Sequence, residues 1–127
     1  MRVMVIFRSN ADAEAGLPPD EQFMEALGKY SEELINAGVL LLGEDLQPSS
    51  KGAMVKFNGR KASVTDGPYA EAKELIASFW MWQVKSLAEA IEWVKRMPVP
   101  ANVNESNEGI IEIRPVFDMA DFAQASS

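Results

Sequence analysis

The segment from residue 76 to residue 84 constrains the fold most, because it has the composition of a strand and is apolar on both sides. Successive side chains of a strand point to opposite faces of its sheet. One face of this strand carries Ala77, Phe79 and Met81, and the other carries Ile76, Trp80, Trp82 and Val84. An antiparallel sheet with one solvated face alternates apolar with polar residues instead. We therefore expect the sheet to be covered on both faces.

The other periodic segments predict the element order β-α-β-β-α-β. The predicted strands are residues 3–7, 39–42, 76–84 and 110–113. Apolar residues at helical spacing predict one helix that opens at Asp20 and ends before Gly38. Ser86 and Glu89 form a capping box that begins a second helix. This order is typical of the ferredoxin-like α+β fold, in which both helices lie on one face of an antiparallel sheet.

An inserted hairpin interrupts this order between the second and third predicted strands. Asn58-Gly59 lies between two short runs with strand composition, residues 53–57 and 60–65. Asn-Gly favours a type I′ turn, since both of its central residues need a positive φ. The sequence therefore predicts a hairpin with Asn58 and Gly59 at its corner.

The second face of the predicted sheet needs a cover that the two helices do not provide. In a chain of 127 residues the simplest cover is a second copy of the same chain. We therefore expect a homodimer in which two sheets enclose a barrel-like interior. Residues 1–118 are predicted to form one domain, and residues 119–127 a C-terminal tail that frays.

Composition excludes several classes of function. The chain contains no histidine and no cysteine, so His-dependent triads, thiol nucleophiles and thiolate metal sites are impossible. Its net charge of −7 argues against nucleic acids and anionic membranes as partners, because both are negatively charged. No phosphate-binding glycine motif and no EF-hand spacing are present, so we expect no cofactor and no metal. With no apolar run near the ~20 residues that span a bilayer, we expect a cytoplasmic protein.

Several segments resemble the YCII-related family, and in particular its DGPF branch. The run from Thr65 to Glu74 resembles the DGPF signature, with Tyr69 where the family usually has Phe. Residues 43–48 are similar to the family's Gly-Glu-x-Leu-x-Pro segment, residues 87–93 to its second helix, and residues 111–115 to its terminal Glu-x-Arg-Pro strand. The resemblance covers residues 1–118 and implies a dimeric ferredoxin-like fold.

The resemblance implies two different kinds of function. Some members of the wider family are enzymes built on a His-Asp pair, including a dehydrochlorinase type, and a chain without histidine cannot use that mechanism. Similar domains also occur near or fused to sigma-factor-like regulators. The family therefore implies either acid-base chemistry on a small molecule or a non-catalytic binding module with a transcription-related partner.

Asp66 and Glu44 are the candidate catalytic residues. Asp66 lies on a tight loop at a strand end, where a desolvated carboxylate can serve as a general base. The alternative is that its side chain stabilises the Gly-Pro turn or caps the helical turn that follows. Glu44 ends the second strand and is the other carboxylate that can act as base.

Glu112 and Arg114 are the first two candidate ligand-binding residues, because they are two apart and share one face of the last strand. We expect that face to be the helix-free side, where the planar fork of Arg114 can hold a carboxylate. The alternative is an ion pair at the dimer seam. The aromatic candidates expected to line the same space are Tyr69, Trp80 and Trp82, for which packing alone is the alternative.

Overall fold

The computed structural model of the chain describes residues 1–125, apart from the side chains of Lys73 and of residues 123–125. Across these residues the strands are β1 Arg2–Arg8, β2 Leu40–Asp45, β3 Ala53–Asn58, β4 Lys61–Asp66, β5 Ile76–Gln83 and β6 Ile111–Pro115. The helices are α1 Ala11–Glu14, α2 Glu21–Asn36, α3 Leu87–Lys95 and α4 Met119–Ala125. Two 3₁₀ turns lie at Ser49–Lys51 and Ala72–Glu74.

Four strands form one antiparallel sheet in the order β2-β5-β1-β6. This is the strand order of a ferredoxin-like β-α-β-β-α-β unit once the hairpin is set aside. Strands β3 and β4 form a separate two-stranded sheet. The predicted α+β fold class and the inserted hairpin are therefore confirmed.

The core lies between the sheet and the helices α2 and α3. Each helix begins at the predicted cap, where Asp20 accepts a hydrogen bond from Phe23 N at 2.7 Å and Ser86 accepts one from Glu89 N at 3.1 Å. Tyr30 of α2 is buried, and its hydroxyl donates to a backbone carbonyl of α3. Burial raises the pKa of the Tyr30 hydroxyl above its ordinary value.

Trp80 and Trp82 lie on the helix side of the sheet, so the expectation that they line the helix-free face is wrong. Trp82 is fully buried, and the ring of Trp80 stacks on Tyr30 with centroids 6.1 Å apart. The cause is the register of β5, which sets Trp82 opposite the buried Val3. Residues directly opposite on neighbouring strands point to the same face.

The corner of the hairpin also differs from the prediction. Asn58 pairs with Lys61, so Gly59 and Arg60 are the two corner residues. Only Gly59 has a positive φ, of 63°. This matches a type II′ turn, which needs a positive φ at its first central residue alone and takes glycine there. The predicted type I′ turn at Asn58-Gly59 is therefore wrong by one residue.

Two segments without predicted structure form helices. The Asn10 side chain accepts from Ala13 N and begins α1 inside the predicted first loop. Residues 119–125 form α4 where a fraying tail was expected, and residues 126–127 of that tail lie outside the described residues. Asp118 caps α4, and the rings of Phe117 and Phe122 pack 5.1 Å apart as a hydrophobic staple.

Gly43 of β2 leaves room for Trp80, and its substitution is expected to destabilise the fold. A Cβ atom at Gly43 would lie 2.1 Å from Cδ1 of Trp80, whereas one at Gly28 in α2 would meet nothing within 4 Å. We expect Gly43→Ala to lower the free energy of unfolding by about 1–3 kcal/mol through overpacking. The matched control Gly28→Ala should raise it by about 0.5–1 kcal/mol. Urea unfolding of both variants checks the opposite signs, and equal effects would contradict the packing role of Gly43.

Gly59→Val tests the hairpin corner. A β-branched residue at a positive φ costs about 1–2 kcal/mol. Since β3 and β4 pair only with each other in the described residues, the loss should be confined to the hairpin. Hydrogen exchange should show faster exchange of the hairpin amides and unchanged protection of β1. Arg60→Val, at a position without a positive φ, is the control, and equal exchange in both variants would argue against this corner.

Candidate functional site

The helix-free face of the sheet consists of two rows of side chains that cross all four strands. We define it by these rows, which read from β2 to β6 as Glu44, Phe79, Ile6 and Glu112, and as Leu42, Met81, Met4 and Arg114. A bulge between Leu40 and Leu42 turns Leu42 and Glu44 to this face. The centre of both rows is apolar, and the charged residues lie at the two edges.

The β6 edge of this face carries a charged group made by Arg8, Glu112 and Arg114. Arg8 Nη2 donates to Glu112 Oε1 at 2.7 Å, and Arg114 Nε lies 3.7 Å from Glu112 Oε2. The side chains of Arg8 and Glu112 are 34% exposed, whereas that of Arg114 is 71% exposed. The structure therefore brings Glu112 and Arg114 together on the expected face and leaves most of the Arg114 side chain exposed.

Sequence reasoning did not assign a role to Arg8, although a signal was present. Met4 and Ile6 alternate with Val3 and Val5 along β1, and the next even position is Arg8. The same period of two that places Glu112 on the helix-free face places Arg8 there as well.

Glu44 and Asp66 belong to the opposite, β2 edge of the sheet. Glu44 shares its row with Glu112, but three strand spacings of roughly 4.8 Å separate them by about 14 Å. Asp66 ends β4, and Gly67 N donates to Gly52 O at 3.0 Å beside the turn that follows β2. The predicted acids and the predicted arginine anchor therefore do not meet within one chain.

The loop from Asp66 to Tyr69 is held by backbone packing. A Cβ atom at Gly67 would lie 1.6 Å from the carbonyl oxygen of Ser49, so only glycine allows this approach. No hydrogen bond joins the side chain of Asp66 to its own turn among the described residues, and Asp66 is exposed. Tyr69 is half-buried in the same loop. The expected capping role of Asp66 is therefore not observed.

Glu14 holds the turn on which this loop rests, and sequence reasoning missed it. Its carboxylate accepts from Ser49 N at 2.9 Å and from the Ser49 hydroxyl. The two residues are 35 positions apart, so no local pattern connects them. The contact joins α1 to the segment after β2 and thereby positions Gly67.

An acidic cleft of about 410 Å³ opens at the end of the sheet where β1 ends and β6 begins. Its lining residues are Ser9, Asn10, Ala11, Glu71, Ala72, Glu105, Ser106, Asn107, Glu108 and Ile110. Three glutamates and no cationic residue line it, so its charge is negative. None of the predicted site residues lies in its wall.

No group of three or more acidic side chains within the described residues is arranged to hold a metal ion. In the same part of the chain, no helix is both long and apolar enough to cross a membrane. The charged groups at the edges of the helix-free face are carboxylates and guanidinium groups.

A comparison with known protein families identifies relatives of this chain. The model of the YCII-related domain matches residues 1–120. The chain belongs to the YCII-related family. An uncharacterized protein of Rhizobium meliloti (strain 1021) is 31% identical to this YCII-related chain over 97 residues, which are 76% of this chain and 75% of that protein.

A solved structure is also similar to this YCII-related chain. It is a 5-chloro-2-hydroxyhydroquinone dehydrochlorinase from Burkholderia phenoliruptrix AC1100 in complex with 2,5-dihydroxybenzoquinone. The TM-score is 0.42 and the sequence identity 16%, over 88% of this chain and 91% of that chain.

The Glu14–Ser49 contact of this YCII-related domain is expected to be energetically coupled. Hydrogen bonds to a charged acceptor contribute about 1.5–3 kcal/mol. In a double-mutant cycle of Glu14→Ala and Ser49→Ala, we expect a coupling free energy of about 1 kcal/mol or more from chemical unfolding. The control cycle removes the exposed bond between Asp12 and Asn102 and should show weaker coupling. Additive effects in the Glu14 cycle would contradict the assigned role.

Proposed function

We propose that the chain is a small-molecule-binding protein of the DGPF branch, and that it holds a small organic acid on the helix-free face in a cavity closed by a second copy. The observation that carries this proposal is the charged group of Arg8, Glu112 and Arg114 on an otherwise apolar face. A ligand site is usually an apolar surface with a few convergent polar groups. The Asp66-Gly67-Pro68 run supports the branch.

Arg114 is the proposed anchor of the ligand's carboxylate. Arg8 is committed to Glu112 at 2.7 Å, whereas Arg114 makes the longer contact of 3.7 Å and remains mostly exposed. The guanidinium fork binds a carboxylate through two parallel hydrogen bonds. Met4 and Met81 lie in the same row as Arg114 and offer apolar contact to the body of an aromatic or aliphatic acid.

Asp66 and Glu44 are the proposed general bases if the bound molecule reacts. The reaction would be proton abstraction from a small organic acid or aromatic, as in a lyase or isomerase. Both carboxylates are exposed in the single chain, and exclusion of water strengthens a catalytic base. A second copy that covers the helix-free face would supply this exclusion. The predicted homodimer is therefore part of the proposal.

A non-catalytic binding or regulatory module with a transcription-related partner is the second candidate. The observation that favours it is the pairing of Glu112 with both Arg8 and Arg114, which gives this carboxylate a structural use. The cytoplasmic location remains a prediction for both candidates.

Ligand binding is tested by thermal-shift titration with benzoate, hydroxybenzoates, phenols and short aliphatic acids. A ligand that binds the folded state raises its stability by mass action. We expect at least one acid to raise the unfolding temperature, and Arg114→Met to weaken its binding at least about tenfold through loss of a charge-assisted pair. Lys95→Met is the matched control, since Lys95 is 68% exposed and also makes one ion pair.

Two results would contradict the binding proposal. One is the absence of any shift across the panel at millimolar concentration. The other is equal affinity of the Arg114→Met variant and the unchanged protein for the acid that shifts it.

Catalysis is tested separately with the acid that binds. We expect Asp66→Asn to keep the binding affinity and to lose turnover, because the amide cannot accept the proton. Glu32→Gln, an exposed change on α2, is the control for the loss of one negative charge. Tight binding without any turnover by the unchanged protein would favour the non-catalytic module.

A further inference from the structure

The hairpin of β3 and β4 has little support from the rest of its own chain. Every residue of both strands is exposed. Within the described residues the two strands pair only with each other. A two-stranded hairpin is at best marginally stable in water. The hairpin is therefore a candidate for contact with a further surface.

The two faces of the hairpin differ in chemistry. The apolar face carries Val55, Phe57 and Val64, which are 51%, 73% and 67% exposed. The opposite face carries Lys56 and Lys61. Residues 51–65 hold four of the twelve cationic residues of the chain and none of its nineteen acidic residues. The hairpin is thus a cationic arm with one apolar face on an acidic protein.

The surface that complements this arm is present on the same chain. The acidic cleft is lined by Glu71, Glu105 and Glu108. We propose that the hairpin of one protomer docks on a second copy of this chain, with its cations at the acidic cleft of that copy. The face that carries Lys56 and Lys61 would contact the cleft, and the charges would select the position.

The strand topology is consistent with docking of each hairpin on the other copy. The hairpin follows β2, and the cleft opens beside β6, both at the end of the sheet where β1 and β2 finish and β5 and β6 begin. A two-fold axis parallel to the strands places the β2 edge of one copy over the β6 edge of the other. This arrangement sets the edge that carries Glu44 and Asp66 over the partner edge that carries the charged group of Arg8, Glu112 and Arg114. Glu44 then shares a row with Glu112 of the other copy, and the two arginines flank that row.

The consequence is a ligand site built from two chains. Glu44 and Glu112 are about 14 Å apart within one chain, at opposite edges of the sheet. The two-fold axis brings Glu44 of one copy over the row of Glu112 in the other, next to the row of the proposed anchor Arg114. This inference rests on the pairing of helix-free faces in the proposed function, and it adds the arm and the direction of the two-fold axis.

A charge-exchange experiment tests the arm without any ligand. One variant is Lys56→Glu/Lys61→Glu, and the other is Glu105→Lys/Glu108→Lys. Each alone should raise the dimer dissociation constant at least about tenfold in sedimentation equilibrium. In a mixture of the two, each hairpin meets a cleft of opposite charge. The heterodimer should then form with an affinity within about threefold of the unchanged protein.

Lys29→Glu/Lys95→Glu is the matched control, because it reverses two exposed helical lysines outside the hairpin. It should leave the dimer dissociation constant within about threefold. Circular dichroism of every variant verifies folding, and exposed sites are substituted throughout. Raising the salt concentration should weaken the unchanged dimer, since salt screens exposed charges.

Three outcomes would contradict docking of the hairpin on a second copy. The first is that the unchanged protein is a monomer at tens of micromolar. The second is that both charge-reversed variants dimerise as the unchanged protein does, and the third is that their mixture forms no heterodimer. In the second case two chains pair without the hairpin, and the proposed function is untouched. Failure of the acid titration alongside successful charge exchange would remove the ligand role alone.

Discussion

The packing of Trp80 and Trp82 beneath α2 and α3 is the interaction on which the rest of the structure depends. Trp82 is fully buried, and Trp80 fills the space above Gly43 while it stacks on Tyr30. These large rings occupy the helix side of the sheet. Because the two helices cover only one face of the sheet, the side chains of the helix-free face are not covered by this chain. The candidate site lies on that face.

The candidate site is divided by the width of the sheet. Arg114 and Glu112 lie on β6, whereas Glu44 and the loop of Asp66 lie along the β2 edge. Apolar side chains of β1 and β5 fill the distance between them. A single chain therefore presents an exposed arginine at one edge and two exposed acids at the other, and the cooperation proposed for them requires a second chain over the face.

Local patterns predicted much of the fold and part of the site. Caps at Asp20 and Ser86, and the pairing of Glu112 with Arg114 on one face, follow from neighbouring residues. The contact of Glu14 with Ser49 and the acidic cleft do not, because they join segments far apart in the chain. The staple at α4 lay within reach of the sequence, since its capping residues are three apart.

The sequence by itself determined the order of the sheet strands with α2 and α3, the presence of the hairpin and the apolar character of both faces of β5, since each depends on spacing along the chain. Only the tertiary structure decided which face the helices cover. Alternation with a period of two divides the side chains of a strand between two faces, but it does not tell which of the two faces the helices cover. The register of β5 against β1 removes that ambiguity, and it assigns the tryptophans to the core and Met81 and Phe79 to the open face.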